Sequence, residues 1–325
     1  MTDMKSSPAG RSGAAAPAPD PASAAPGQTA TTDPLGAAPA LAGRRRSEML
    51  YFALRNPKVI LGLSVIVAFL LFGLLGPLFS EFGPRERNAG PLGAAPSSDF
   101  WLGTTWTGQD VFTQLAHGTR ATFQVALMAA AISAFIGMTM GFVAGYRGGR
   151  LDEILMMITN IVLVLPVFVV VIVVTAYLGI SNTATQALVI GLFNWTWVAR
   201  AVRAQTLSLR ARDFVDLARL SGVRTLSIIR REIAPNMASY LVMTFILLFA
   251  GAIVFAATLD FLNLGPRGGM SLGLMLQQAN QQAAMSLGLW WWFVFPGAAI
   301  TAITGSAYLT NVGLDEVFNP KLREM

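Results

Sequence analysis

The 325-residue chain is 54% hydrophobic and only 12% charged, whereas roughly a quarter of the residues in a soluble domain are charged, so lipid is its expected solvent. It has no cysteine, which excludes disulfide frameworks, zinc–thiolate sites and cysteine nucleophiles. The net charge of +6 fits either a nucleic-acid binder or a membrane protein with its basic residues gathered on one side, and their positions decide between the two.

Residues 1–43 are Ala, Pro, Gly, Ser and Thr with hardly an aliphatic run. Such a composition cannot bury enough apolar surface to offset its ordering entropy, so the segment reads as a disordered cytoplasmic tail. The cluster Arg44, Arg45 and Arg46 that follows resembles a twin-arginine signal. The apolar stretch after it is long enough to span, however, and a membrane-orienting cluster is the better reading.

From 44 to 325, six stretches can each cross a hydrocarbon core of about 30 Å at about 1.5 Å per helical residue. They are Val59–Phe79, Thr122–Tyr146, Ile154–Ile180, Ala184–Val198, Met237–Leu259 and Leu289–Val312. The fourth is the weakest, because Asn194, Trp195 and Trp197 interrupt it. With the N-terminus inside, nineteen of the 23 Lys and Arg residues fall on the cytoplasmic side and only Arg85, Arg87, Arg120 and Arg267 fall outside. This bias puts both termini in the cytoplasm and explains the basic charge without nucleic acid.

No Asp, Glu, Lys, Arg or His sits in the middle of any span. A secondary transporter needs such groups and a channel needs a polar filter, so transport energy is expected from elsewhere. None of Lys5, Lys58 and Lys321 follows a glycine, which excludes a phosphate-binding loop. An intramembrane hydrolase is disfavoured as well: the one histidine, His117, precedes the second span beside Gly118 and Arg120, and no aspartate dyad exists. No catalytic residue and no metal ligand are assigned.

In the second span Ser133, Gly137, Gly141 and Gly145 recur every fourth residue, and Gly297, Thr301 and Gly305 repeat the pattern in the sixth. Small residues on one face allow close backbone approach, either within the chain or to a second subunit. Pro166, near the middle of the third span, removes a backbone donor and kinks the helix, for gating or for simple shape-fitting.

The loop between spans four and five reads as two short helices. Asp213 caps the first, with Asp216 in the capping-box position, and Gly222 supplies a left-handed stop. The second starts near Thr225, and Pro235 marks the passage into the fifth span. Phe214, Val215 and Leu217 are candidate anchors for insertion into a groove of a soluble partner. The loop fits equally an interfacial helix lying on anionic lipid.

Asp216-Leu217-Ala218, then Gly222, then Pro235 thirteen positions later, is similar to the signature of binding-protein-dependent importer permeases: Glu-Ala-Ala, three residues, Gly and a later Pro. Asp replaces Glu, Leu replaces the first Ala, and Glu232 stands where the peptide-importer branch usually has His. The stretch from Phe100 through Leu102-Gly103-Thr104 and Gly108-Gln109-Asp110 to Arg120 resembles the segment before the second span in the second permease of dipeptide, oligopeptide and nickel importers. There Thr105 and Gln109 replace an Asp and an Arg. The ending from Asn311 to Arg323 is similar to that family's C-terminus.

This resemblance implies an all-α integral membrane fold of the type I importer permease kind, six transmembrane helices with a cytoplasmic coupling helix, in a bacterial plasma membrane. It implies a heterodimer with a second permease, two cytoplasmic ATPase subunits that bind ATP and magnesium, and an extracytoplasmic solute-binding protein, while this chain holds no cofactor. Asp213, Phe214, Asp216, Leu217, Ala218, Gly222, Glu232 and Pro235 would carry ATPase coupling. The cargo would be di- or oligopeptides, with nickel or oligosaccharides as alternatives. The regions 80–121 and 261–288 would face outside, where Gln277, Gln278, Asn280, Gln281 and Gln282 form either a contact with partner or solute or a solvated polar loop.

Overall fold

The computed structural model describes residues 55–179 and 182–318. The segment 1–43, the arginines at 44–46 and the end of the C-terminal motif, 319–325, therefore lie outside the described residues.

Helix α1, Pro57–Leu75, begins where the Asn56 side chain accepts the Lys58 amide and Pro57 takes a first-turn position that needs no donor. A 3-10 turn, Gly76–Phe79, ends it. An irregular stretch then leads to Asp110, whose carboxylate accepts the amides of Phe112 and Thr113 and starts α2, Val111–Arg147. At 37 residues α2 is roughly 55 Å long, well beyond a hydrocarbon core of about 30 Å. It thus contains the expected second span, with His117 and Arg120 in its opening turns.

The expected third span is not one helix. It forms α3, Gly149–Val164, and α4, Val167–Leu178, and the axes bend by 81° at the break. Pro166 disfavours helical geometry at the residue before it, and Leu165 is extended with ψ 135°. The expected fourth span also divides, into α5, Thr183–Phe193, and α6, Thr196–Arg210. Asn194 Nδ2 donates to the Ile190 carbonyl at 3.0 Å, taking the acceptor that a continuing helix would give to its own next amide. With 11 residues, α5 reaches only about 16 Å and cannot cross alone.

After the loop helices α7, Asp213–Leu220, α8, Thr225–Ile228, and α9, Ala234–Asn236, come α10, Ala238–Phe261, α11, Leu272–Gln281, and α12, Trp290–Phe318. Among the described residues four helices are long and apolar enough to cross a membrane, and five if the bent α3–α4 pair is one span. Ile60, Leu61, Leu71, Leu74 and Leu75 of α1 are exposed, as a lipid solvent allows.

α2 is the mast of the bundle. A Cβ at Gly137, Gly141 or Gly145 would stand 2.7 Å from Cβ of Val198, Val202 or Thr206 respectively, and within 2.9 Å of the carbonyl oxygen of Trp195, the N-cap of α6, of Ala199 or of Arg203. The stripe therefore packs inside the chain, and Ser133 Oγ extends it by donating to the Gly191 carbonyl of α5 at 3.0 Å. The second stripe behaves differently. Gly305 has nothing within 4 Å of its Cβ direction and Gly297 only a Leu276 methyl at 3.9 Å. The intrachain seam of α12 lies instead on Ser306, Thr310 and Gly313, which meet Gly62 and Val59 of α1. Lys58 pairs with Glu316, and Asn56 Nδ2 donates to the same carboxylate at 3.2 Å, closing that seam at one end.

The two stripes thus predict opposite sensitivities. Gly141→Leu should destabilise the subunit by about 1–3 kcal/mol or more, since neither Val202 nor the α6 backbone can yield, whereas Gly305→Leu should stay within about 0.5 kcal/mol. Thermal unfolding of the detergent-purified protein reads both, and equal melting temperatures would contradict the packing described.

Candidate functional site

The candidate site is the 25-residue loop from Arg212 to Asn236. Arg212, with extended φ/ψ, is the N-cap of α7 and offers no side-chain bond. Asp213 is thus the first helical residue rather than the cap, and the expected capping box is not formed. Both Asp213 and Asp216 lie in the first turn, where negative charge meets the positive end of the helix dipole.

Gly222 ends α7 as expected, at φ +72°. Its amide donates to Arg219 O at 3.0 Å, and the Val223 amide to Ala218 O at 3.1 Å, the paired bonds of a left-handed glycine stop. Nothing lies within 4 Å of a Cβ placed there, so the demand for glycine is conformational, not spatial.

Farther on, α8 passes into a π-helical turn, Ile229–Ile233, in which the Ala234 amide reaches Ile229 O. Pro235 follows one residue later. A proline in a regular α-helix collides with the carbonyl four residues back, and widening the preceding turn relieves that contact. Glu232 is half-buried, and its carbonyl accepts Asn236 Nδ2 at 2.5 Å.

The apolar residues of α7 divide by face. Val215 is fully buried and Phe214 and Ala218 pack partly against the core, so Val215 is a root holding the helix to the bundle and not an anchor for a partner. Leu217 is 65% exposed and Leu220 88%, three positions apart on one face. They form an apolar ridge on α7, and Val223 and Leu226, which follow in the chain, are exposed as well.

Arg219 ties α7 to the mast. Its guanidinium lies 5.1 Å from the centre of the Tyr146 ring, donates to the Tyr146 hydroxyl at 3.3 Å and bonds Asp216 at 3.1 Å. The Tyr146 bond, ahead of Asp216, raises the Arg219 pKa above its ordinary value, and the side chain stays charged. On α6, Arg203 grips Asp152 of α3 through two bonds of 2.5 and 2.6 Å, and Arg200 donates to Asn160 of α3 at 2.6 Å. The loop, α2, α6 and α3 are thereby joined.

At the far end of α2, the two departures from the resemblance have clear uses. Thr105 Oγ1 accepts the amides of Thr107 and Gln109 at 3.3 and 3.1 Å, the turn-closing task for which an Asp also serves. Gln109 donates to the Arg85 carbonyl at 3.1 Å and accepts from Gln114 at 2.9 Å, bonds that stitch the 80–110 segment to α2. The expected polar loop 277–282 is largely helix α11, with Gln277 buried at 5% exposure. Asp260 went unnoticed in the sequence. It lies past the apolar run yet inside the last turn of α10, 3% exposed, so the spans are free of charge only in their middles.

The description "Binding-protein-dependent transport system inner membrane component" belongs to the family whose pattern matches residues 137–324. The chain is 30% identical over 269 residues to the dipeptide transport system permease protein DppC of Bacillus subtilis (strain 168), covering 83% of each chain. It is 31% identical over 272 residues to the protein of the same name from Alkalihalophilus pseudofirmus, covering 83% of this chain and 88% of that one. Against the oligopeptide transport system permease protein OppC of Mycobacterium tuberculosis (strain ATCC 25618 / H37Rv) it is 30% identical over 283 residues, covering 86% and 96%.

Because Gly222 is needed for its dihedral angle alone, Gly222→Asn should keep the α7 stop, while Gly222→Val should fray it at a cost of about 1–2 kcal/mol. Hydrogen exchange at the amides of 222 and 223 reports this. Equal protection in the two variants would refute the conformational account.

Proposed function

The chain belongs to the family of binding-protein-dependent transport system inner membrane components, and on that premise we propose that it is a permease subunit of an ATP-driven peptide importer. It forms half of the translocation pathway beside a second permease. Two cytoplasmic ATPase subunits bind ATP and magnesium and perform the hydrolysis, and an extracytoplasmic binding protein delivers the peptide. The names of relatives such as the dipeptide permease proteins support the cargo. Counted with α5 and the start of α6 together as a sixth crossing, nineteen of the 23 basic residues fall on the α7 side, which supports a cytoplasmic location for that loop and for both termini.

The observation that carries the reading is the ridge on α7. An apolar face rooted from behind by a buried Val215, with Leu220 88% exposed, suits insertion into a protein groove. Asp213 and Asp216 are exposed on the same helix. Asp216 is paired with Arg219 and the loop as a whole is basic, so its charge alone suits anionic lipid as well; the rigid apolar ridge is what favours a protein groove as the partner. Closure of the ATPases on ATP would push α7, and the push would reach α2 through Arg219 and Tyr146 and the other spans through the α2–α6 seam. The outward side opens, the peptide enters, and hydrolysis restores the first state. The segment 80–110 and the turn before α11 would meet the binding protein.

Leu220→Glu should sharply reduce ATPase recovered with the tagged subunit while its own yield from membranes stays normal, because Leu220 supports nothing within the chain. Val215→Glu should lower the yield itself. Undiminished ATPase recovery and ATP-driven dipeptide uptake in Leu220→Glu would sink the docking role of the ridge.

A further inference from the structure

Remote from α7, a partly open cavity of about 260 Å³ is lined by α2, α5, α10 and the turn leading to α11. Asp260, Gln186, Ser271 and Thr183 line it, together with Arg85 and Arg267. Asp260 Oδ1 accepts Gln186 Nε2 at 2.6 Å, and Oδ2 accepts Ser271 Oγ at 2.5 Å. Ser271 Oγ itself accepts the Leu274 amide at 3.1 Å, which directs the hydroxyl proton to Asp260. Both carboxylate oxygens thus accept hydrogen bonds, an arrangement that suits the ionised group.

The anion is 3% exposed, yet among the described residues no ion pair involves it. A buried charge without a counter-charge is costly. Gln186 Oε1, also buried, has no hydrogen-bond partner. Arg85 is occupied, donating to the Gly269 carbonyl at 2.7 Å, whereas the Arg267 side chain is exposed on the cavity wall. The wall therefore offers an anion with a spare acceptor beside it and a separate cation, in a space of small-ligand size.

We propose that this cavity receives a short zwitterionic peptide, with its ammonium at Asp260 and its carboxylate at Arg267. The ammonium supplies the missing counter-charge and has three protons to share with the acceptors around it. Recognition of two free termini would suit cargo of varied side chains, since it reads what all short peptides have in common. The assignment of a peptide rests on the importer reading above.

The chain has no cysteine, so Thr183→Cys gives the subunit a single thiol on the cavity wall. In the complete complex in nanodiscs, without the binding protein, dialanine should slow alkylation of that thiol by N-ethylmaleimide several-fold, and N-acetyl-dialanine should not. Adding Asp260→Asn should abolish the protection. Because that variant also disturbs the bonds to α5 and α11, Arg267→Gln, on an exposed side chain, is the second probe: it should weaken protection by dialanine and bring it to the level given by dialanine amide. Equal protection by dialanine and its N-acetyl form, or none by either, overturns the site. ATP-driven dialanine uptake in proteoliposomes tests the importer separately: uptake without protection removes the cavity alone, and protection without uptake removes the importer reading alone.

Discussion

The close approach of α2 to α6 is the contact on which the rest of the bundle is arranged. Three glycines four residues apart bring the backbones so near that each absent Cβ would lie 2.7 Å from a side-chain carbon of the other helix. In lipid no hydrophobic force drives helices together, and this packing of backbone on backbone must do so through dispersion. Its register then fixes much else. It carries Ser133 to the Gly191 carbonyl, brings Arg210 Nη1 within 3.4 Å of the Gly145 carbonyl, and leaves Tyr146 at the base of α7 for Arg219.

Because α7 is held by Val215 from beneath and by Arg219 from the side, it cannot slide on the bundle without breaking buried packing and a charge-assisted bond. A helix of 8 residues is too short to be stable in isolation. Its order comes from these ties and from the stop at Gly222. Leu217 and Leu220 contribute little to folding because they stay exposed, while the burial of Val215 holds the helix, so the bundle sustains a rigid apolar ridge that it does not itself use. On the proposed function, a partner meets a preformed surface and loses little to ordering it.

Much of this was legible in sequence because spacing carries it. The four-residue repeat of Ser133, Gly137, Gly141 and Gly145 named the seam, and Gly222 with Pro235 named the loop. What stayed hidden was what spacing leaves ambiguous. Gly297 and Gly305 have the same repeat, yet among the described residues only a Leu276 methyl comes within 4 Å of the Cβ direction of either, and the seam of α12 uses Ser306, Thr310 and Gly313. Pro166 and Asn194 were legible as a kink and an interruption, but that each splits its span into two helices was not, since hydropathy counts residues and not bonds. In α7 apolar residues occupy five of 8 positions, so periodicity could not tell root from ridge. Asp260 stood just past an apolar run, and its partners lie 74 and 11 residues away.

The unbroken helices also differ from the broken ones in what they can transmit. α10 starts directly after the π turn and Pro235, at the loop end, and closes with Asp260 at the cavity. Its 24 residues form a rod of roughly 36 Å with continuous hydrogen bonding. A tilt imposed at its base therefore reaches Asp260 almost undiminished, and with it the Gln186 and Ser271 bonds that hold α5 and α11. The α3–α4 pair, bent by 81°, has no continuous ladder across Leu165 and Pro166, so a push on α3 can be absorbed as a hinge motion. In the proposed cycle α2 and α10 are the struts, α3–α4 is the joint, and the two ends are linked without any group titrating in the middle of the membrane.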